Sequence, residues 1–312
     1  MQTDSPYRAT FLLLDGFSNM VLASAIEPLR AACAFSGRRL FEWRVASLDG
    51  QSVRSSSGLR FEVDAPLGQV GRMEALIVVA GYGVREVAEL AATIVAVRGA
   101  ARRADMIIGL DMGAWVLAAA GLLRGHRATV HWQEIDAFAE KFLEVNVVTE
   151  SHVIDATRQS AGSAASTMDL VLELIRHLAG DALAYDVRSL FIYDDADLHR
   201  AQSGALSPRL GRAVRRMVDT LSEPEPLRDI AAHAAVSERT LDRLFRRELG
   251  VSTGEYYRSL RLQHAQTLVI ETDIPAQDIA VRTGFTSVST LSRAFHAYFG
   301  QTLRGMRKHQ RP

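Results

Sequence analysis

One ten-residue pattern occurs twice near the C-terminus, fifty residues apart. The first copy is Leu241-Asp-Arg243-Leu-Phe245-Arg-Arg-Glu-Leu249-Gly250, and the second is Leu291-Ser-Arg293-Ala-Phe295-His-Ala-Tyr-Phe299-Gly300. An Ile-Ala pair stands upstream of each, Ile230-Ala231 and Ile279-Ala280, followed by a polar residue suited to capping a helix, Ser237 or Thr286. Residues 208–312 read as nearly continuous helix, punctuated by Gly250, Pro275, Gly284 and Gly300. Repetition at this period signals duplicated supersecondary units. It constrains this region to two copies of one small helical device.

Each copy makes physical sense as a helix-turn-helix. In the first, Leu227, Ile230, Ala231 and Ala234 share one face at helical spacing, and the small residues let a second helix cross closely. Ser237 caps that second helix, in which Leu241, Leu244, Phe245 and Leu249 point inward. Arg239, Asp242, Arg243 and Arg246 are left on the outward face, a row able to enter a DNA major groove. In the second copy Leu291, Ala294, Phe295 and Phe299 point inward. Ser287, Ser289, Thr290, Ser292 and Arg293 are the groove-facing candidates, with short hydroxyls that serve bases or phosphates equally. Arg243 and Arg293 could instead brace the helix pair or touch only phosphate. Residues 256–268 suit a long connecting helix that spaces the two readers.

Charge agrees with this division. The chain of 312 residues has no net charge, yet residues 1–207 carry 19 Lys and Arg against 25 Asp and Glu, whereas residues 208–312 carry 17 against 11. The basic excess is nearly all arginine, which favours planar contacts to phosphates and base edges. No apolar run approaches a membrane span, and the N-terminus lacks the order of a signal peptide. A single cysteine, Cys33, excludes an internal disulfide framework and suits a reducing cytoplasm.

Upstream, short apolar runs alternate with helical stretches. Strands are expected at Phe11–Leu14, Trp43–Ser47, Ala75–Val79, Met106–Leu110 and Val145–Val148, with helices at about 19–35, 85–103, 113–122, 163–178 and 182–190. Such alternation predicts an α/β domain, a parallel sheet flanked by helices, whose ligands collect at the carboxyl ends of the strands. The rest is an all-α domain. Polar residues with Gly and Pro breakers put a linker at 194–208, separating domains at 1–193 and 209–312. After Ile107-Ile108-Gly109-Leu110, the order strand, Asp111-Met112-Gly113-Ala114-Trp115, helix has the form of a nucleophile elbow.

The C-terminal hundred residues resemble the AraC/XylS family throughout, at Ile230-Ala231, Ser237, Leu241, Arg243, Phe245, Gly250, Arg261-Leu262, Ala265, Ile279-Ala280, Gly284-Phe285, Ser292-Arg293, Phe295, Gly300 and Arg307. The resemblance implies reading of two successive major grooves on one DNA face, transcriptional activation with RNA polymerase, and a homodimer. Leu303 departs from it, standing where the family has proline before the last helix. The elbow, with Glu27 and Gly81-Tyr82-Gly83, looks like the ThiJ/PfpI branch of the class I glutamine amidotransferase-like fold. Active members of that branch carry cysteine at the elbow, where this chain has Asp111. The joined architecture resembles GlxA-like regulators, at Glu27-Pro28-Leu29-Arg30, residues 113–118, Ala128-Thr129-Val130-His131-Trp132 and Ser160-Ala161-Gly162. Within them it is most similar to a subgroup controlling catabolism of glycine betaine, carnitine and related amines or arginine, although Met112 replaces an expected Thr.

The first domain then reads as a sensor that has lost its catalytic group. Glu27 and Asp111 would share a pocket, and two close carboxylates need a cation between them. Trp115 and His131-Trp132 would offer aromatic faces, and Met112 would line the site, for a quaternary ammonium or guanidinium effector. Equally open at this point are Asp111 as a helix cap, Trp115 and Trp132 as core residues, and His131 as a structural histidine. The sequence carries no Walker motif, no Gly-x-Ser-x-Gly, no His-Glu-x-x-His and no histidine spacing for a metal, so no cofactor is expected. The alternative reading is a PfpI-like hydrolase or amidase fused to a DNA-binding module, against which the elbow aspartate stands.

Overall fold

The structure, a computed structural model, describes residues 5–191, 206–221 and 223–309. It divides into two compact units, one of Met1–Ala31 with Arg39–Leu174 and the other of Ala32–Arg38 with Ile175–Pro312. The first is built from β1 (Tyr7–Leu13), α1 (Asn19–Ser36), β2 (Phe41–Ser47), β3 (Val53–Arg54), β4 (Arg60–Phe61), β5 (Ala65–Pro66), β6 (Met73–Ala80), α2 (Val84–Glu89), α3 (Ala91–Ala101) and β7 (Ala104–Asp111). It continues through α4 (Gly113–Ala119), β8 (Arg127–Ala128), α5 (Ile135–Lys141), β9 (Asn146–Val147), β10 (His152–Asp155), β11 (Arg158–Ala161) and the start of α6 (Ala164–Ala179), the ends of α1 and α6 counting with the second unit.

Seven strands form one sheet in the order β10-β11-β7-β6-β1-β2-β5, parallel except where β10 runs antiparallel to β11. Phe11 lies opposite Ile77, and Ile77 opposite Ile108, so the three central strands put apolar side chains in register. These strands are buried on both faces, which is why they read as unbroken apolar runs rather than as alternation. On one face Leu12, Leu76, Val78 and Ile107 pack against Val97 and Ala100 of α3 and Ala114 and Leu117 of α4.

The expected α/β order stands, with three local differences. The helix expected over 85–103 is two, broken at Leu90, whose backbone is extended. The strand expected at Val145–Val148 shortens to β9, which pairs with β8 outside the main sheet. Strands β10 and β11 had no apolar signal. Gln159 and Ser160 are nonetheless buried, and the Ser160 hydroxyl accepts the Thr129 N–H at 2.8 Å. A polar residue with a backbone partner is tolerated in a core, and it erases the hydrophobic pattern.

The second unit contains α7 (Asp181–Phe191), α8 (Pro208–Asp219), α9 (Leu227–His233), α10 (Glu238–Glu248), α11 (Thr253–Glu271), α12 (Ala276–Arg282), α13 (Val288–Phe299) and α14 (Leu303–His309). Its first core gathers Leu210, Met217, Ile230, Leu241, Phe245 and Tyr256, and its second Leu262, Val269, Ile279, Leu291, Phe295 and Met306. Helix α7 lies upstream of the boundary expected at residue 193, yet it packs here. Ala182 and Tyr185 lean on the first core, and the Tyr256 hydroxyl donates to the buried Asp186 carboxylate at 2.7 Å. Burial pushes Asp186 up to about 6. The linker expected at 194–208 lies outside the described residues except for 206–208.

Candidate functional site

The two repeats fold as the helix pairs α9–α10 and α12–α13. Ser237 caps α10, its hydroxyl accepting the Thr240 N–H at 3.2 Å. In the second copy the cap is Ser287, whose hydroxyl accepts from Thr290 N, not Thr286. The reason is in the spacing: the copies are offset by 49 residues at Ile230 and Ile279 but by 50 at Leu241 and Leu291. One residue has been added in the turn. Left-handed backbone is required in both turns, at Ala235 (φ 56) and at Gly284 (φ 66).

Each turn is held from behind by an arginine of the preceding helix. Arg212 of α8 donates to Ala234 O at 3.2 Å, and Arg261 of α11 donates to Thr283 O at 2.7 Å while its guanidinium lies 4.4 Å over the Phe285 ring. Arg307 bonds Ile274 O at 2.9 Å and ties α14 to the second pair. The departure at Leu303 costs no cap, because the Thr302 hydroxyl accepts the Gly305 N–H at 3.0 Å. None of these bracing roles follows from sequence periodicity, although the offset of 49 between Arg212 and Arg261 hints at an equivalence.

On the outward face of α10, Arg239 and Arg243 are exposed and make no hydrogen bond or ion pair among the described residues. Asp242 and Arg246 are differently placed. Arg246 Nε donates to the Asp242 carboxylate at 2.8 Å, and the other carboxylate oxygen accepts the Thr253 N–H at 3.0 Å. Arg246 beside it holds Asp242 below the usual carboxylate range. Asp242 thus pins the start of α11 to α10 and steers Arg246. On α13, Ser289 and Arg293 are exposed, Thr290 and Ser292 are half-buried, and Arg293 Nε reaches back to Ser289 O at 3.4 Å. Ser287 and Thr290 face each other across 2.9 Å at the cap. Among the described residues, Arg239 and Arg243 are the exposed cations of the set that make neither a hydrogen bond nor an ion pair.

In the first unit the sheet's carboxyl edge brings Ala80 of β6 beside Asp111 of β7. Asp111 has φ 56, the left-handed geometry of an elbow, and is buried. One of its carboxylate oxygens, Oδ1, is buried with no hydrogen-bond partner among the described residues. It does not cap α4: the N-cap is Met112, without a side-chain bond. Burial pushes the Asp111 carboxyl up to about 7, and desolvation, followed by the Asp111 charge, raises the Tyr82 hydroxyl. Gly113 is required here, because a Cβ would sit 2.0 Å from Val78 O. Tyr82 stands 3.0 Å from a ring nitrogen of His131 and also bonds Gln133. Trp132, 70% exposed, follows with its ring centroid 5.8 Å from that of His131.

Three expectations for this site need correction. Glu27 is bound to Arg30 at 2.7 Å on the surface of α1, and burial alone raises Asp111, so no carboxylate pair is at work. Met112 and Trp115 are core residues, 1% and 2% exposed. Trp115 packs against Phe138 and Phe142, and its face is already taken by the Arg85 guanidinium at 4.4 Å, itself paired with Glu134. Tyr82 and Gln133, which sequence reading passed over, stand at the site instead. The lone Gly81-Tyr82-Gly83 was the only pointer to Tyr82. Among the described residues no group of His, Cys, Asp and Glu is disposed to hold a metal, and no helix is long and apolar enough to cross a membrane.

Comparison with known proteins agrees with both halves. The model of the DJ-1/PfpI family matches residues 7–175, and that of a helix-turn-helix domain matches residues 230–309. The HTH-type transcriptional regulator GbdR of Pseudomonas aeruginosa is 35% identical over 99% of this chain and 86% of its own length. CdhR of the same species, another HTH-type transcriptional regulator, is 36% identical over 93% and 88%. GlxA of Rhizobium meliloti, a third, is 32% identical over 96% and 95%. Among solved structures, an AraC family transcriptional regulator from Pseudomonas putida superposes with a TM-score of 0.54 at 28% identity, covering 60% of this chain and all of its own. A ThiJ/PfpI family protein from Pseudomonas syringae gives 0.53 at 22%, covering 74% and 91%, and shares the fold. The chain therefore belongs to the DJ-1/PfpI family in its first domain and, from end to end, to the AraC-family HTH-type transcriptional regulators, acting through DNA and not as an enzyme.

Proposed function

We propose that this regulator senses a small organic cation, a quaternary amine or a guanidinium compound, at Asp111, and that binding changes how α10 and α13 engage promoter DNA. One observation carries the reading. Asp111 is buried at the elbow with an oxygen unpartnered among the described residues, its charge is felt at Tyr82, and Tyr82 in turn meets His131. A buried carboxylate without a counter-charge either holds a proton or attracts a cation. A cation can win that competition at neutral pH, because the proton on Asp111 is held only to about 7. Tyr82 and the exposed Trp132 supply the apolar faces that retain a methylated ammonium.

On this reading Arg239 and Arg243 contact bases or phosphates, with Arg246 steered by Asp242. Ser289, Ser292 and Arg293 position the second helix, and Ser237 and Ser287 fix the two helix N-termini against the backbone. The regulator acts as a homodimeric activator with RNA polymerase in the cytoplasm. Population shift, not chemistry, links the two domains. Calorimetric titration of the full chain with glycine betaine, carnitine, choline and arginine at pH 7 tests this. One of them is expected to bind with release of a proton, seen as a heat that changes between buffers of different ionisation enthalpy, and Asp111→Asn abolishes that dependence. Silence toward all four, or unchanged binding in the variant, removes the cation reading.

A further inference from the structure

A second recess lies at the opposite end of the first domain's sheet. It is a cavity of about 570 Å³ lined by Arg98, Arg102, Arg124 and Arg158, with Ile107 and Leu122 among its apolar lining. Ile107 and Asp111 are four residues apart on β7, roughly 13 Å along an extended strand, so this recess is separate from the elbow. Its volume falls within the few hundred to roughly a thousand Å³ of small-molecule sites.

The guanidinium groups are positioned but not neutralised. Arg98 Nε donates to Ala120 O at 2.6 Å, and Arg158 Nε donates to Leu122 O at 2.9 Å. Arg158 is further fixed through Nη1 to the Thr157 hydroxyl at 2.8 Å. Both therefore lean on the loop that follows α4, and their partners are neutral carbonyls and a hydroxyl. Neither they nor Arg102 has a carboxylate partner among the described residues. Arg124 alone is paired, with Glu144 at 2.8 Å, and both of those side chains are largely exposed. Burial pulls Arg158 below the usual guanidinium range, the mark of a cation that has lost water without gaining an anion. Four cations around one concavity, against a single solvent-exposed carboxylate, repel one another unless an anion enters.

We propose that this recess is an anion site of the sensor domain that takes a compact metabolite bearing adjacent anionic groups, such as a diphosphate or a tricarboxylate. A guanidinium fork matches two oxygens of either group at once: Arg98, anchored through Nε, leaves both terminal nitrogens for that purpose, and Arg158, whose Nη1 is held by Thr157, leaves Nη2. If the arginines served only to brace the loop after α4, no ligand would be expected.

The test uses the full chain with sodium pyrophosphate and trisodium citrate as separate probes, at matched ionic strength, read by calorimetry. At least one probe is expected to bind, more weakly as salt rises. Arg102 is exposed and unpaired, so Arg102→Gln leaves the fold intact, and loss of one charge-assisted fork is expected to weaken binding by about ten-fold or more. Arg158→Lys, which keeps the charge but loses the fork, is expected to weaken it comparably. Arg243→Gln, in the DNA-reading helix, is expected to leave it unchanged. Binding of pyrophosphate alone, or of citrate alone, supports the site and identifies the anion. The proposal is overturned if neither probe binds up to roughly 10 mM, a free energy below about 3 kcal/mol. Equal binding by Arg102→Gln, or loss of binding in Arg243→Gln, which would place the anion on the DNA-reading surface, overturns it too.

Discussion

Replacing Asp111 with Asn removes the charge at the elbow while keeping the shape of the side chain and its tolerance of left-handed backbone. The carboxyl titrates at about 7 in the folded protein against the ordinary 3.8. A raised folded-state value means that the native state holds a proton the unfolded chain has released. The associated stability is fully present below pH 3.8 and is lost as pH rises through 7. That rise corresponds to about 4 kcal/mol of lost stability at pH 8, shrinking to less than about 1 kcal/mol at pH 4. Asp111→Asn is therefore expected to be more stable than the parent by about that amount at pH 8 and nearly equal to it at pH 4. All three tryptophans, Trp43, Trp115 and Trp132, lie in the first domain, so urea unfolding followed by tryptophan fluorescence reports this domain alone. A gap that stays constant from pH 4 to 8, or a variant less stable at pH 8, refutes the reasoning.

Other substitutions test the framework around both sites. Ala235→Gly relieves left-handed backbone at a residue with a Cβ and is expected to stabilise the second domain by about 1 kcal/mol, read by thermal melting in circular dichroism. Asp242→Ala removes the acceptor of the Thr253 N–H and frees Arg246. It is expected to cost about 1 kcal/mol of stability in the same melt and to weaken DNA binding, whereas Asp242→Asn, which still accepts that N–H, should lose less stability. Gly113→Ala sets a methyl 2.0 Å from Val78 O and is expected to leave the first domain unfolded or insoluble, scored by soluble yield and tryptophan emission.

Much of this architecture was legible in the chain because burial on both faces turns central parallel strands into apolar runs. β1, β6 and β7 appear as such. β11 did not, since it is built from Arg158, Gln159 and Ser160, of which Arg158 and Ser160 bond backbone groups inside, and so leaves no hydrophobic trace. The allegiance of α7 was hidden for a related reason: it depends on contacts seventy or more residues away in sequence, with Asp186 accepting from Tyr256 and Gln263 while Ala182 and Tyr185 pack on the first core. The repeat made the two DNA-reading helices visible, and the faces of α10 and α13 followed from their period. The turn between α12 and α13 carries one extra residue, which moved the cap from Thr286 to Ser287. At the elbow, the strand-turn-helix order located Asp111 correctly. Side-chain partners were beyond reach there, because Arg30 claims Glu27 and Arg85 claims the Trp115 face through contacts that sequence spacing does not encode.

Promoter recognition requires that the two reading helices of one chain be presented to the same duplex. Selection of bound duplexes from a random library by the full-length protein tests this most directly, followed by measurement of affinity against salt. The expected outcome is an enriched site with two half-sites about one helical turn apart. Arg243→Ala should relax selection at one half-site only and reduce the salt slope by about one. Enrichment of a single half-site, or of no sequence, or a selection and salt slope untouched by Arg243→Ala, would contradict it.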